Sequence, residues 1–134
     1  MIELDDQVYN EAVLLYNTGE QSKALELFLQ LAKQGHTDSM TALGYIYEQM
    51  DGEESHKAAF EWCKMTAYKG HPYAQYHLGR LYFEGACVKR NYKKSLTWYA
   101  TSIANGVVDD VDERTRQDVK RAVDEENAGS LAFI

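Results

Sequence analysis

The sequence has one proline, two cysteines and no long hydrophobic run. A single proline, Pro72, leaves too few turn signals for an all-β fold, in which they recur every few residues. Cys63 and Cys87 make neither a C-x-x-C pair nor a metal-spaced cluster, so two thiols in a reducing compartment are expected rather than a disulfide. No stretch approaches the roughly 18 consecutive apolar residues of a membrane span. The N-terminus, MIELDDQVYNEA, carries acid where a signal peptide carries base, and the chain reads as cytoplasmic. Basic residues are outnumbered 14 to 21, giving a formal charge of −7. Nucleic-acid affinity comes from neutralising phosphates with Lys and Arg, so a nucleic-acid partner is not expected, nor is a membrane. The densest basic group, Lys89, Arg90, Lys93 and Lys94, reads as a solvated loop and helix start rather than a phosphate site.

Chemistry-bearing motifs are missing too. His36, His56, His71 and His77 show no H-E-x-x-H or equivalent spacing. His36 and His71 read as turn residues, His56 as the start of a helix, and His77 as partly exposed. Cys63 stands inside an apolar helix and reads as a small core residue. There is no glycine-rich phosphate loop and no G-x-S-x-G elbow. The reading is of a chain that is not an enzyme, with no catalytic, cofactor-binding or metal residues and no cofactor.

What the chain does have is a globular balance, 45% hydrophobic and 26% charged over 134 residues, and a repeat. Gly35, Gly70 and Gly106 recur at intervals of 35 and 36 residues, Gly44 and Gly79 at 35, Tyr47 and Tyr82 at 35, and Trp62 and Trp98 at 36. Fixed self-similarity of this length marks stacked supersecondary units. Repeats are expected over about 5–35, 36–70 and 71–106, each a pair of helices. In the third, one helix is expected from Pro72 to Glu84, with proline at the opening position where its missing N–H costs nothing. A second helix follows from Asn91, a good N-cap, to Asn105. Gly35, Gly70 and Gly106 then end their helices in a left-handed turn. Gly44 and Gly79, with Ala12 in the same phase, sit mid-helix, where glycine costs about 1 kcal/mol relative to alanine. That cost implies close approach by the partner helix, with Ala24, Ala59 and Ser95 as the complementary small positions. Leu27, Trp62 and Trp98 would fill the remaining core.

After Gly106 the chain turns polar. A cap helix is expected over about 109–126, with Val111, Thr115, Val119, Ala122 and Val123 on one stripe and charge outside. An apolar tail, 127–134, is expected to fray or dock. The whole chain reads as one all-α domain, 1–126 plus tail: a solenoid of three helix-turn-helix repeats and a capping helix, about seven helices in all.

The third unit, AQYHLGRLYFEGACVKRNYKKSLTWYATSIANG, resembles the Sel-1-like repeat family, a relative of the tetratricopeptide repeats. Ala74, Gln75, Leu78, Gly79, Tyr82, Gly85, Val88, Lys94, Trp98, Tyr99 and Gly106 carry the resemblance. The second unit carries it at Ala42, Leu43, Gly44, Tyr47, Gly52, Lys57, Ala58, Trp62 and Gly70, with Ser39-Met40 in place of Ala-Gln. The first has the shorter tetratricopeptide spacing between Ala12 and Ala24. The resemblance implies a right-handed α-solenoid used as an interaction scaffold, commonly in bacteria, with the first helix of each pair lining the concave face. Helical geometry from the small phase-marking residue then names the protein-binding candidates: Tyr9, Val13 and Tyr16; Thr41, Tyr45 and Glu48; Tyr73, Tyr76, Arg80 and Phe83, with Asp6 and Asp38 at the phase of Tyr73. Tyrosine and arginine suit binding because each joins a large contact area to a polar end. Arg80 alone cannot make a carboxylate clamp. A basic or aromatic partner protein or peptide fits better, and acidic charge would steer a basic one. The expected role is a non-catalytic adaptor or scaffold. The alternative is a small acidic inhibitor or immunity-type protein that neutralises a toxin or enzyme by direct binding.

Overall fold

A computed structural model describes residues 2–106 and 113–131. Among the described residues seven helices follow one another: α1 (Ile2–Asn17), α2 (Gln21–Lys33), α3 (Thr37–Gln49), α4 (Glu53–Tyr68), α5 (Pro72–Glu84), α6 (Tyr92–Ala104) and α7 (Glu113–Leu131). No strand occurs among the described residues. This is the all-α repeat fold expected from the glycine and tyrosine periodicity.

The helix ends follow from local chemistry. Gly35, Gly70 and Gly106 take φ of +87°, +95° and +105°, conformations that cost L-residues with a Cβ but are open to glycine. Asn91 caps α6 by accepting from the Lys94 N–H at 3.0 Å. His36 and His71, expected only as turn residues, are the N-caps of α3 and α5. Each ring Nδ1 accepts a backbone N–H at 3.3 Å, from Ser39 and Ala74 respectively. One of the orphan donors of each helix start is thereby satisfied. His56 does not begin a helix: α4 starts three residues earlier, at Glu53. α7 runs to Leu131, past the expected end at 126. Val111 of the expected cap stripe, the Thr115 and Val119 side chains, and residues 132–134 of the tail lie outside the described residues.

The chain divides into two compact units, 1–62 and 63–134. In the first, α1, α2 and α3 pack around Ala12, Ala24, Phe28, Ala32, Met40 and Leu43. The expected small positions Ala12 and Ala24 are both fully buried. Tyr47, Leu27 and Trp62 are half-buried against this core.

In the second unit α5 packs on α6, and α6 on α7. Gly79 shows why its position must be small. A Cβ built there would stand 2.9 Å from Tyr99 Cδ1, inside van der Waals contact. Ser95 exploits the same closeness, donating its hydroxyl to the Gly79 carbonyl at 2.7 Å. Gln75 of the Ala-Gln pair is buried and bonded on both sides. Its amide donates to the Ala67 carbonyl at 3.1 Å and its carbonyl accepts from the Asn105 amide at 2.9 Å. Burying an amide is tolerable only when it is so satisfied. Cys63 is a buried thiol donating to the Ala74 carbonyl at 3.4 Å. Two expectations fail here. His77 is buried, at 1% exposure. Trp98 does not fill the core: it is half-buried, edge-on to the exposed Tyr68 ring at 5.1 Å between centroids. The inward face of α6 belongs to Ser95, Tyr99 and Ser102, and Trp98 stands one residue off it.

Candidate functional site

In the first unit the candidate residues project from α1 and α3. Tyr9 is held by its neighbours: its ring meets Phe28 edge-on at 5.7 Å and tilts on His36 at 5.3 Å. Burial, then the nearby Asp38 carboxylate, raises its phenol above the ordinary range. Asp6 lies 3.6 Å from the His36 Nε2. Thr41 turns its hydroxyl back to the Thr37 carbonyl at 3.1 Å, and Glu48 is half-buried. Val13, Tyr16 and Tyr45 come together. With Phe28, Ala42, Ile46 and Gln49 they line a recess of about 190 Å³. Tyr16 donates across its edge to Gln49 Oε1 at 3.4 Å. A second recess of about 310 Å³ shares Tyr16, Ile46 and Gln49 and is otherwise walled by Gln21, Ser22, Leu25 and the exposed Met50. Phe28, Ala42 and Ile46 were not among the residues named from sequence. The helical period alone assigns them to the core, and only the packing shows that they also floor an opening.

In the second unit the candidates lie on α5. Tyr73 is the most open, at 60% exposure, tilting on the His71 ring at 6.3 Å. Arg80 reaches Glu84 at 3.0 Å. Tyr76 and Phe83 are half-buried against Tyr99, with the Tyr76 and Tyr99 rings 5.5 Å apart, and Phe83 also tilts on Tyr92 at 5.7 Å. Burial first, then Tyr76 and Glu84, drives the Tyr99 phenol well above the usual tyrosine range, against the lowering effect of Arg80. Tyr76 and Phe83 thus spend one ring face on packing and present the remainder.

The Sel1 repeat pattern matches residues 12–36, 37–71 and 72–107, most of the chain. The chain belongs to the Sel1 repeat family. Sel1 proteins are generally protein-interaction modules and typically non-catalytic scaffolds. Among solved structures, the chain is similar to c5321, a protective antigen present in uropathogenic Escherichia coli strains displaying an SLR fold. The two are 32% identical over 73% of this chain and 22% of the antigen, with a TM-score of 0.65. A Sel1 repeat protein from Oxalobacter formigenes shares the fold at a TM-score of 0.69, with 22% identity over 85% of this chain and 88% of that one. Among curated proteins, the chitin synthase regulator SKT5 of Saccharomyces cerevisiae is 24% identical over 139 aligned residues, covering 74% of this chain. The chain spans about a fifth of the length of that relative and of the E. coli antigen.

The Sel1 match explains the motif positions physically. The glycine at 79 admits Tyr99, the glutamine at 75 ties α4 to the end of α6, and the closing glycines reverse the chain. The roles seen at these positions are structural: Gly79, Gln75 and the closing glycines serve packing and chain reversal. No described helix is long and apolar enough to cross a membrane.

Proposed function

We propose that this Sel1 chain is a non-catalytic adaptor or scaffold that binds a partner protein on the outward faces of its first helices. The observation that supports this reading is the recess of Val13, Tyr16 and Tyr45 over Phe28, an apolar floor rimmed by a tyrosine hydroxyl and an amide. Apolar depth ringed by polar atoms is the composition of a protein-binding hot spot. On the second unit, Tyr73 and Arg80 supply an open ring and a cation. The curated relative named as a regulator also fits a module that acts through another protein. The partner suited to the first unit's recess offers an apolar or aromatic anchor. With a chain charge of −7, a basic surround on the partner would speed association.

The test is affinity capture with the intact chain and with two double variants, Tyr16→Ala plus Tyr45→Ala and Tyr73→Ala plus Arg80→Ala. Loss of a specific partner with helical circular dichroism retained is expected for at least the first. Unchanged recovery with both variants overturns the reading.

A further inference from the structure

A second surface lies on the opposite chemistry. Lys89, Arg90, Lys93 and Lys94, which sequence alone suggests are merely solvated, are gathered by the fold with rings and a further cation. Three recesses of about 510, 450 and 370 Å³ adjoin one another along the start of α6. The first and second share Lys89, Arg90 and Glu126; the second and third share Tyr82, Lys93 and Lys94. The third ends on Lys64, Tyr68 and Trp98. Sharing walls in this way makes a track rather than one deep cavity.

The side chains are ordered for recognition. Lys93 and Thr97, and Lys94 and Trp98, each stand one turn apart in two adjacent rows of α6, beside the buried Ser95 and Tyr99. The Arg90 guanidinium lies 5.2 Å from the Tyr92 ring centre and the Lys94 ammonium 5.5 Å from that of Tyr82. Rings hold cations in place while leaving their N–H groups available. Tyr68, 70% exposed and edge-on to Trp98, extends the track with an aromatic platform. The carboxylates lining the three recesses are Glu84 and Glu126, against five cations.

We propose that this track binds an extended, carboxylate-rich segment of a partner protein that carries aromatic or apolar side chains. Charge complementarity selects acid, and the interleaved rings select apolar residues between the acids. The chain's own −7 decides against longer polyanions. At ordinary salt the screening length is about 10 Å, so a short peptide feels the local cations. A duplex or an anionic bilayer extends over the acidic remainder and is repelled. This proposal does not rest on the tyrosine face described above.

Fluorescence anisotropy with a short labelled peptide of Glu and Asp containing two Phe tests it on the full chain. Binding is expected to weaken at least tenfold in Lys93→Glu plus Lys94→Glu, and to be lost when Gln and Asn replace the peptide's acids. The Tyr16→Ala plus Tyr45→Ala variant should bind the peptide as well as the parent, which separates this surface from the first. Lys89→Ala plus Arg90→Ala, in the loop, is the second variant should charge reversal in α6 disturb folding; it is expected to weaken binding several-fold. No binding by the parent chain, binding by both basic variants as tight as the parent's, or tighter binding to a DNA duplex or phosphatidylserine vesicles than to the peptide overturns the proposal.

Discussion

At Gly79 the absence of a side chain is what lets α5 and α6 meet. A methyl group there would press on the Cδ1, Cε1 and Cγ atoms of Tyr99, at 2.9, 3.1 and 3.2 Å. That ring is buried and clamped by Tyr76, so it cannot swing aside as a flexible chain end would. Overpacking of this kind costs about 1–3 kcal/mol, and alanine returns about 1 in helix propensity. Gly79→Ala is therefore expected to lower stability by up to about 2 kcal/mol, read from urea unfolding. Tyr99 itself sets a pH limit. Its phenol is raised by burial, as are those of Tyr82 and Tyr9. The folded state thus favours the neutral form. This stability is fully present below the unfolded tyrosine value near about 10 and is lost as pH rises past it. The thermal midpoint should fall between about pH 10 and 12, and Tyr99→Phe, which has no proton to lose, should fall less over the same range.

Two of the helix pairs start with the same device. His36 and His71 each offer Nδ1 to the N–H three residues on, and the His36 ring also meets the Ser39 hydroxyl at 2.8 Å. A histidine cap is uncommon beside Ser, Thr, Asp and Asn, which is why its position after a glycine suggests only a turn. For α5 the cap and Pro72 act together: proline removes one orphan donor and His71 satisfies another. His71→Ala is expected to cost about 1 kcal/mol, and His71→Asn to restore it because the amide oxygen reaches the same N–H. Chemical denaturation of the two variants side by side checks this. If Asn fails to restore what Ala loses, the ring stabilises α5 by packing on Tyr73 rather than by capping.

For the whole molecule, the net charge of −7 acts over distances that individual side chains do not. On the proposed reading, a basic partner approaching the tyrosine-bearing helices would be drawn in by that field, and an acidic peptide approaching the lysine track would meet it as a barrier relieved only locally. The association rate with a basic partner should therefore drop by about tenfold or more between about 50 and 500 mM salt, with a smaller change in dissociation rate. Stopped-flow mixing at several salt concentrations measures both. A salt-independent association rate would show that the field plays no part in recognition.

The fold was legible in the sequence because repetition is a one-dimensional property. Intervals of 35 and 36 residues between glycines, tyrosines and tryptophans mark the helix pairs, and backbone chemistry at Pro72, Asn91 and Gly106 marks their ends. The Gly79–Tyr99 approach could be anticipated from glycine's cost inside a helix; its partner atoms could not. The tertiary structure decided what depends on neighbours distant in the chain. It buried His77, turned Trp98 outward to Tyr68, divided Tyr76 and Phe83 between packing and exposure, and placed Phe28 beneath Val13, Tyr16 and Tyr45. It also brought Lys64 and the rings of Tyr68, Tyr82, Tyr92 and Trp98 to a run of cations that, along the chain, reads as loop and helix start. Helical period tells which residues share a face, but whether that face is covered, and by what, is settled only by the helices packed against it.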